Sequence, residues 1–347
     1  MTTFRSSTLL IPVILFSALP LQALKVFPLI SYSSSSGLLL GGIMSHNMVP
    51  PFTPFGFSTM AYVYTDGSIS AEPQLLFKAG SGIARFNINY HVSRGNKFFG
   101  WGNGGDNELY EFYDSETQEI SGSYNFTPFS GIILTGGLLS RHSTIYNRLN
   151  NRLWEQSPTD KFGSLWTAGP FMEGVWIIPS LIDGYFKTGY DLQLGDNITY
   201  HNTDLALSVF TPVGTSTVPC FRAKITRHGG TASTPFPYLP SLGGSSGLRG
   251  YKDTRFGGNW SLLGNLELRQ RIFSYTIDED NSFSLSLVLF GDAGQVADHL
   301  GDFQWSGFHF DGGLGARITL PGGSSLRADF ALSPEGLGIQ MGMGELF

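Results

Sequence analysis

The sequence has few charged residues and almost no cysteine. Asp, Glu, Lys and Arg make up 14% of its 347 residues, against roughly 25% in typical soluble domains. The single cysteine, Cys220, excludes a disulfide framework and a cysteine-rich metal site. A net charge of −6 gives no basic field, so we expect no nucleic-acid partner.

Long apolar runs are also missing after residue 24. No later segment approaches the ~20 apolar residues of a membrane-spanning helix. Before that point, the positive charge of Arg5, the apolar stretch Leu9 to Leu19 and the small Ala23 follow the order of a secretory signal peptide. We therefore predict that residues 1–23 are a signal peptide and that the chain is exported. An uncleaved anchor is the alternative.

Glycine, with 45 residues, and aromatic residues, at 14%, are abundant, and apolar and polar residues alternate in the last third of the chain. Between Trp260 and Gln270, one face carries Leu262, Leu266 and Leu268, and the other carries Asn265, Glu267 and Arg269. Asp292 falls on the polar face of the next run. The clearest alternating runs are Trp260 to Gln270, Ser282 to Val296, His309 to Leu320, Ser324 to Leu332 and the final segment to Met343. Weaker runs lie upstream, at Gly56 to Thr65, Ser68 to Phe77, Ile83 to Ser93, Glu119 to Thr127, Gly131 to Ser140, Gly184 to Leu194 and Thr203 to Phe210. This period of two is typical of β-strands.

The length and polarity of these runs favour a barrel over a soluble sandwich. Sandwich strands average five or six residues and have apolar inner faces. Here the polar faces carry charges and glycines, and only a closed barrel satisfies every strand in lipid. We predict an all-β fold, a transmembrane antiparallel β-barrel of about 16 strands over residues 37–347. Residues 24–36 form a short preceding segment, with no room for a soluble N-terminal domain.

A glycine-rich stretch, Gly243 to Asn259, holds the motif Leu248, Arg249, Gly250, Tyr251. With the strands that follow, it resembles the BamA/TamA-type outer-membrane assembly family (bacterial surface antigen superfamily), in a short form without periplasmic POTRA domains. The match is strongest over residues 243–347. The resemblance implies that this stretch is a long extracellular loop folded into the lumen, with Glu267 and Asp292 as inward carboxylates. Phe98 to Asn103 also resembles an aromatic-Gly-x-Gly-Asn segment of these barrels.

The residues themselves support a lock between loop and wall. Glycines let the loop pass close to the barrel wall, and alternation independently places Glu267 and Asp292 on the polar face. A guanidinium between two carboxylates forms short, charge-assisted hydrogen bonds. We therefore expect Arg249 to bind one or both carboxylates and Tyr251 to pack nearby.

The resemblance implies a function without covalent chemistry, namely protein insertion or translocation through a weak seam between the first and last strands. Glycines destabilise strand interiors, which fits a weak last strand, although close packing in the lumen explains them equally well. The predicted seam residues are Gly336, Gly338, Gly342, Gly344 and Phe347. The expected location is the bacterial outer membrane, and the expected partners are its lipid, unfolded outer-membrane proteins and periplasmic accessory proteins.

Two other functions stay open. The chain could be a passive pore or structural barrel without assembly activity, or a soluble secreted β-sandwich. Membrane fractionation distinguishes the soluble sandwich from the two membrane barrels, the insertion factor and the passive pore.

The remaining motifs do not indicate an enzyme. The string GGSSG around Ser245 fits a nucleophile elbow, but that motif needs a strand before it and a helix after it. The seven histidines are scattered, and Asp278, Glu279 and Asp280 lack the spacing of a calcium loop. We expect no catalytic residue, no metal site and no cofactor.

Overall fold

The computed structural model describes residues 24–33, 37–46, 55–105, 108–149, 164–178, 183–195, 198–230, 238–278, 281–320, 325–344 and 346. The predicted signal peptide and Phe347 lie outside the described residues. Across these ranges, no helix has the length and hydropathy needed to cross a bilayer.

The described residues form eighteen strands. They are β1 (Leu24–Ser33), β2 (Gly37–His46), β3 (Phe55–Tyr64), β4 (Ile69–Ala79), β5 (Gly82–Phe98), β6 (Glu111–Phe129), β7 (Ile132–Leu149), β8 (Ser164–Ile178), β9 (Asp183–Gly195), β10 (Ile198–Phe210), β11 (Thr217–Gly230), β12 (Ser241–Leu242), β13 (Phe256–Gly257), β14 (Trp260–Asp278), β15 (Asn281–Ala297), β16 (His309–Thr319), β17 (Ser325–Ser333) and β18 (Gly336–Met343). Two short 3-10 turns, Leu300–Asp302 and Trp305–Gly307, lie between β15 and β16.

Sixteen of these strands close into one antiparallel barrel, which confirms the predicted fold. Neighbours in the wall follow chain order, β11 lies beside β14, and β1 closes the ring against β18. The short strands β12 and β13 pair with each other outside the barrel wall. The connections after β5, β11 and β15 open at one end of the barrel, here called the loop mouth, while β1 begins and β18 ends at the other.

Side chains alternate across the wall as the sequence predicted. On β14, Leu266 is 60% exposed, whereas the adjacent Glu267 is 3% exposed. The same contrast separates Leu314 from Arg317 on β16. Large apolar side chains therefore cover the outside, and charged side chains are buried on the inward face, as a lipid-embedded barrel requires.

The start of the barrel corrects one prediction. Residues 24–33, expected to precede the barrel, form β1 and pair with β2 along its whole length. The alternation is obscured there because Pro28 interrupts it and the neighbours Val26 and Phe27 are both exposed. Two further strands, β8 and β11, were not recognised because Pro170 and Pro219 interrupt their runs; prolines are usually confined to strand edges and bulges.

A charge on the outer face tests which side contacts lipid. We expect Leu266→Arg to lower the free energy of unfolding from liposomes by about 2–4 kcal/mol, the cost of a cation near the middle of the bilayer. Leu300→Arg is the control, since Leu300 is 58% exposed but lies in the β15–β16 connection. Urea titrations measure both, with the faster gel migration of unheated barrel as the folding check. Equal, small effects would contradict the assignment of the outer face.

Candidate functional site

The site lies in the connection between β11 and β14, whose tip is held by the β12–β13 hairpin. Ser241 pairs with Gly257 and Leu242 with Phe256. Gly243 and Gly244 then turn the chain with positive φ angles of 120° and 77°. A side chain at Gly244 would also collide with the carboxylate of Asp253. The turn therefore requires glycine at both positions.

Arg249 lies at the centre of the site and is 0% exposed. Its Nε and NH2 atoms each donate to the carboxylate of Asp292 at 2.8 Å, forming a two-pronged contact. Its NH1 donates to Oε1 of Glu267 at 2.6 Å. The guanidinium carbon also lies 3.5 Å from the centre of the Phe290 ring. The structure thus places Arg249 against both carboxylates that the sequence singled out.

The charge network extends to residues that sequence reasoning did not assign to the site. Arg317 bridges Glu267, at 3.1 Å, and Asp329, at 2.6 Å. Asp329 also lies 3.5 Å from NH1 of Arg249. Both residues fall on the polar faces of predicted strands, so the alternation of the sequence could have assigned Arg317 and Asp329 to the inward side of the barrel. Glu267, Asp292 and Asp329 are thus each matched by an arginine, which offsets part of the cost of their burial.

The backbone of the loop tip also packs closely on the wall. A side chain at Gly338 on β18 would collide with the carbonyl oxygen of Arg249. A Cβ at Gly250 would lie 2.8 Å from the Cβ of Asp311. The hydroxyl of Ser333 donates to the carbonyl of Gly250 at 2.8 Å. Glycine at these two positions therefore allows loop and wall to meet.

Leu248 and Tyr251 flank Arg249 with apolar contacts. Leu248 is fully buried in a cluster that includes Leu263 and Val296. Tyr251 is 4% exposed, and its hydroxyl donates to the carbonyl of Phe310 at 3.2 Å. Burial, and then the nearby charge of Asp311, raises the pKa of the Tyr251 phenol to about 12. The phenol therefore stays protonated and remains a donor at neutral pH.

The predicted seam glycines have different environments. Gly336 and Gly344 have positive φ angles of 120° and 82°, while Gly338 gives clearance to the loop. A Cβ at Gly342 would lie 3.7 Å from the hydroxyl of Ser31 on β1, so Gly342 lies at the junction of first and last strands. Phe347 is outside the described residues. These glycines, three on β18 and one just after it, thus differ in environment, and a weak last strand stays a prediction.

Arg222 is a further site residue that the sequence did not reveal, because β11 was not recognised. Its Nε donates to Oδ1 of Asn265 at 2.9 Å, and its NH2 donates to the carbonyl of Ser246 at 2.7 Å. Its NH1 donates to the carbonyl of Leu346 at 3.0 Å. One guanidinium therefore connects the wall, the loop and the end of the chain.

Comparison with known families identifies the half of the chain that contains this site. Residues 182–347 match the Omp85 superfamily domain. This half of the chain is an Omp85 superfamily domain. The match confirms the family resemblance predicted from the LRGY motif and the strands after it.

Solved structures extend the likeness in fold to the whole barrel. BamA from Haemophilus ducreyi lacking POTRA domains 1–3 has a TM-score of 0.67 and 15% identity, covering 93% of this chain and 70% of that one. CdiB from Escherichia coli has a TM-score of 0.66 and 15% identity, covering 94% and 63%. CdiB from Acinetobacter baumannii has a TM-score of 0.59 and 12% identity, covering 93% and 60%. At these identities the likeness shows a shared fold, and the chain spans less than two thirds of either CdiB. No curated protein is similar in sequence.

Truncating Arg249 should destabilise the barrel strongly. Arg249→Ala leaves the carboxylates of Asp292 and Glu267 buried without this cation, so we expect the free energy of unfolding to fall by about 3–5 kcal/mol. Arg249→Lys should recover less than half of the loss, because an ammonium cannot reproduce the two-pronged contact. Urea unfolding and the temperature of the gel shift measure both.

The control is Arg94→Ala. Arg94 also pairs with a carboxylate, that of Asp114 at 3.0 Å, but its side chain is 42% exposed. Its loss should cost no more than about 1 kcal/mol. Equal effects of the Arg249 and Arg94 variants would show that the buried cluster does not hold the loop.

Proposed function

We propose that this barrel inserts or translocates proteins at the bacterial outer membrane through the seam between β1 and β18. The observation that carries the proposal is the length of that seam. Within the described residues, β1 and β18 pair only at Tyr32 with Met341 and at Ser33 with Gln340. By contrast, ten residues of β1 pair with β2, and eight of β17 pair with β18.

The end of the chain explains why the seam is short. If the register continued, Ser31 would lie opposite Gly342 and Ile30 opposite Met343, yet neither is paired through its backbone. The hydroxyl of Ser31 donates instead to the carbonyl of Met341. Instead the chain turns at Gly344, whose N–H donates to the carbonyl of Ser325 at 2.7 Å. Leu346 is 9% exposed, and its carbonyl accepts from Arg222 on the distant strand β11. Gly344 and Leu346 therefore do not extend the pairing with β1.

An unpaired strand edge can accept another strand. The edge of β1 carries backbone donors and acceptors that an incoming segment could pair with, as in other cases of strand addition. A client strand could thus form its first backbone hydrogen bonds on β1 while it enters the membrane. The step needs no covalent chemistry and no cofactor.

Strand length supports the same location. The strands from β16 through the seam to β4 have 8 to 11 residues, while β5 to β11, β14 and β15 have 13 to 19. A tilted strand needs about 9–11 residues to cross the hydrocarbon core. The wall beside the seam is therefore near the lower limit, which favours local thinning of the bilayer where a client would enter.

A disulfide across the seam tests the proposal. We expect Tyr32→Cys with Met341→Cys, in a Cys220→Ser background, to reduce client folding in liposomes to the uncatalysed rate when oxidised. Reductant should restore the activity. The readout is the folding rate of a second outer-membrane protein, or its translocation into the liposome.

The control shares one of the two cysteines. Ala328 on β17 is the other partner of Met341, so Ala328→Cys with Met341→Cys locks a fully paired interface. This variant should stay active in both redox states. Full activity of the oxidised seam variant would contradict the proposal that clients enter the membrane between β1 and β18.

The second candidate function is a passive pore, favoured by a cavity of about 490 Å³ on the inward face of β4 to β7 and β10. Its lining includes Glu72, Glu119 and Arg141, with Arg141 paired to Glu119. Glu72 accepts a hydrogen bond from Ser70 at 3.1 Å. This part of the interior is polar and has a surplus carboxylate, so a current through it should favour cations.

Bilayer recordings test this candidate. We expect Glu72→Gln to reduce the cation preference of any steady current, seen as a smaller reversal potential in a salt gradient. Glu116→Gln is the control, because Glu116 alternates with the cavity residues Thr117 and Glu119 and points away from the cavity. A current that is absent, or that both variants leave unchanged, would remove the pore function.

A further inference from the structure

The segment Phe98 to Asn103 has an arrangement that is explained neither by the seam between β1 and β18 nor by the contact of Arg249 with Glu267 and Asp292. It begins the connection between β5 and β6. In the ring of strands, β5 lies eight steps from β15 in either direction, so the two are on opposite sides of the barrel. Nevertheless, residues 101–103 form hydrogen bonds with the end of β15 and with the β11–β14 loop. The segment therefore crosses the loop mouth.

Asn103 makes the most specific of these contacts. Its Nδ2 donates to the carbonyl of Val296 at 2.5 Å, and its Oδ1 accepts from the backbone N–H of Val296 at 3.0 Å. The side-chain amide thus binds both backbone groups of one residue, as a neighbouring strand would. Because the amide uses its donor and its acceptor together, its position relative to β15 is fixed more narrowly than by one hydrogen bond.

Two contacts beside Asn103 strengthen the crossing. The indole Nε1 of Trp101 donates to Oδ1 of Asp298, just after β15, at 2.7 Å. The N–H of Gly102 donates to the carbonyl of Gly257 on β13 at 2.8 Å. The first fastens the segment to the opposite wall, and the second fastens it to the loop that carries Arg249.

A second buried arginine, Arg255, joins the segment to the last hairpin. Arg255 is 3% exposed and donates to the carbonyl of Gly105. Its Nε also donates to the carboxylate of Glu335, in the β17–β18 turn, at 2.8 Å. Its guanidinium lies 4.9 Å from the centre of the Phe99 ring. The crossing segment, the loop and the hairpin that ends in the seam strand therefore share one cation.

We propose that residues 98–105 form a strap that closes the loop mouth, and that Asn103 is the positioning residue that holds it closed. Release of Asn103 and Trp101 from β15 would free the strap and open a path into the cavity beside β4 to β7. The hydrogen bonds described for the strap differ from the contact of Arg249 with Glu267 and Asp292, although both fasten the same loop. The inference goes beyond the proposed function, because a closed mouth blocks any solute whether or not the seam accepts clients.

The experiment records single-channel currents of the purified full-length barrel in planar bilayers containing only potassium chloride. Asn103→Asp keeps the acceptor but loses the donor to Val296, and Asn103→Ala loses both. We expect severalfold higher open probability in Asn103→Asp and a further rise in Asn103→Ala. Protease added on the loop-mouth side should also cut the β5–β6 connection severalfold faster in both variants. The temperature of the gel shift should stay close to that of the wild type.

Asn87→Ala is the matched control. Asn87 is an inward amide on the same strand, β5, and it bonds only wall residues, with Gln74 at 2.7 Å and Ser121 at 3.1 Å. It should leave the open probability and the cleavage rate unchanged. A similar rise in Asn87→Ala would mean that any lost amide loosens the barrel, which overturns the assignment to Asn103.

Trp101→Phe keeps the measurement decisive if an Asn103 variant fails to fold. It retains an aromatic ring and removes only the hydrogen bond to Asp298, so it should raise the open probability above that of the wild type. Wild-type currents and cleavage rates in every folded strap variant would overturn the proposal. No client protein takes part, so a barrel without insertion activity still gives a clear answer here.

Discussion

The structure depends on one buried contact, the guanidinium of Arg249 between the carboxylates of Asp292 and Glu267. Charge burial is costly, and it is offset only when geometry and hydrogen bonding are complete. The glycines at 250 and 338 allow the close approach that completes it. A loop that could otherwise sample many conformations is thereby fixed against the wall strands β14 to β18 and the turn between β17 and β18.

Strong and weak interfaces lie next to each other in this barrel. Arg317 connects Glu267 on β14 with Asp329 on β17, which ties the strands that carry the lock into one unit. On the other side of β18, its described residues pair with those of β1 at only two positions on each strand. Strain at the seam can therefore be borne by hydrogen bonds that break easily, while the loop and its wall keep their arrangement. This contrast is the physical basis of the function proposed above.

Sequence reasoning predicted the barrel and the centre of the site for definite physical reasons. Alternation with period two identified β14 to β18, and parity placed Glu267 and Asp292 on the polar face. Their contact with Arg249 was expected from the family resemblance together with this parity. The strands β1, β8 and β11 were missed because prolines interrupt their runs, and Arg222 was missed with β11. The crossing of residues 98–105 and the inward turn at Gly344 depend on contacts between distant segments, which no local pattern encodes.

The most direct test of this account is a double-mutant cycle between Arg249 and Asp292, measured as free energies of unfolding in liposomes. Arg249→Ala, Asp292→Ala and the double variant separate the pairwise interaction from the cost of each truncation. The account predicts a coupling of about 1.5–3 kcal/mol, so that the double variant is much less destabilised than the sum of the single ones. Strictly additive effects would show that the two groups do not hold each other, and that something other than this contact fixes the loop.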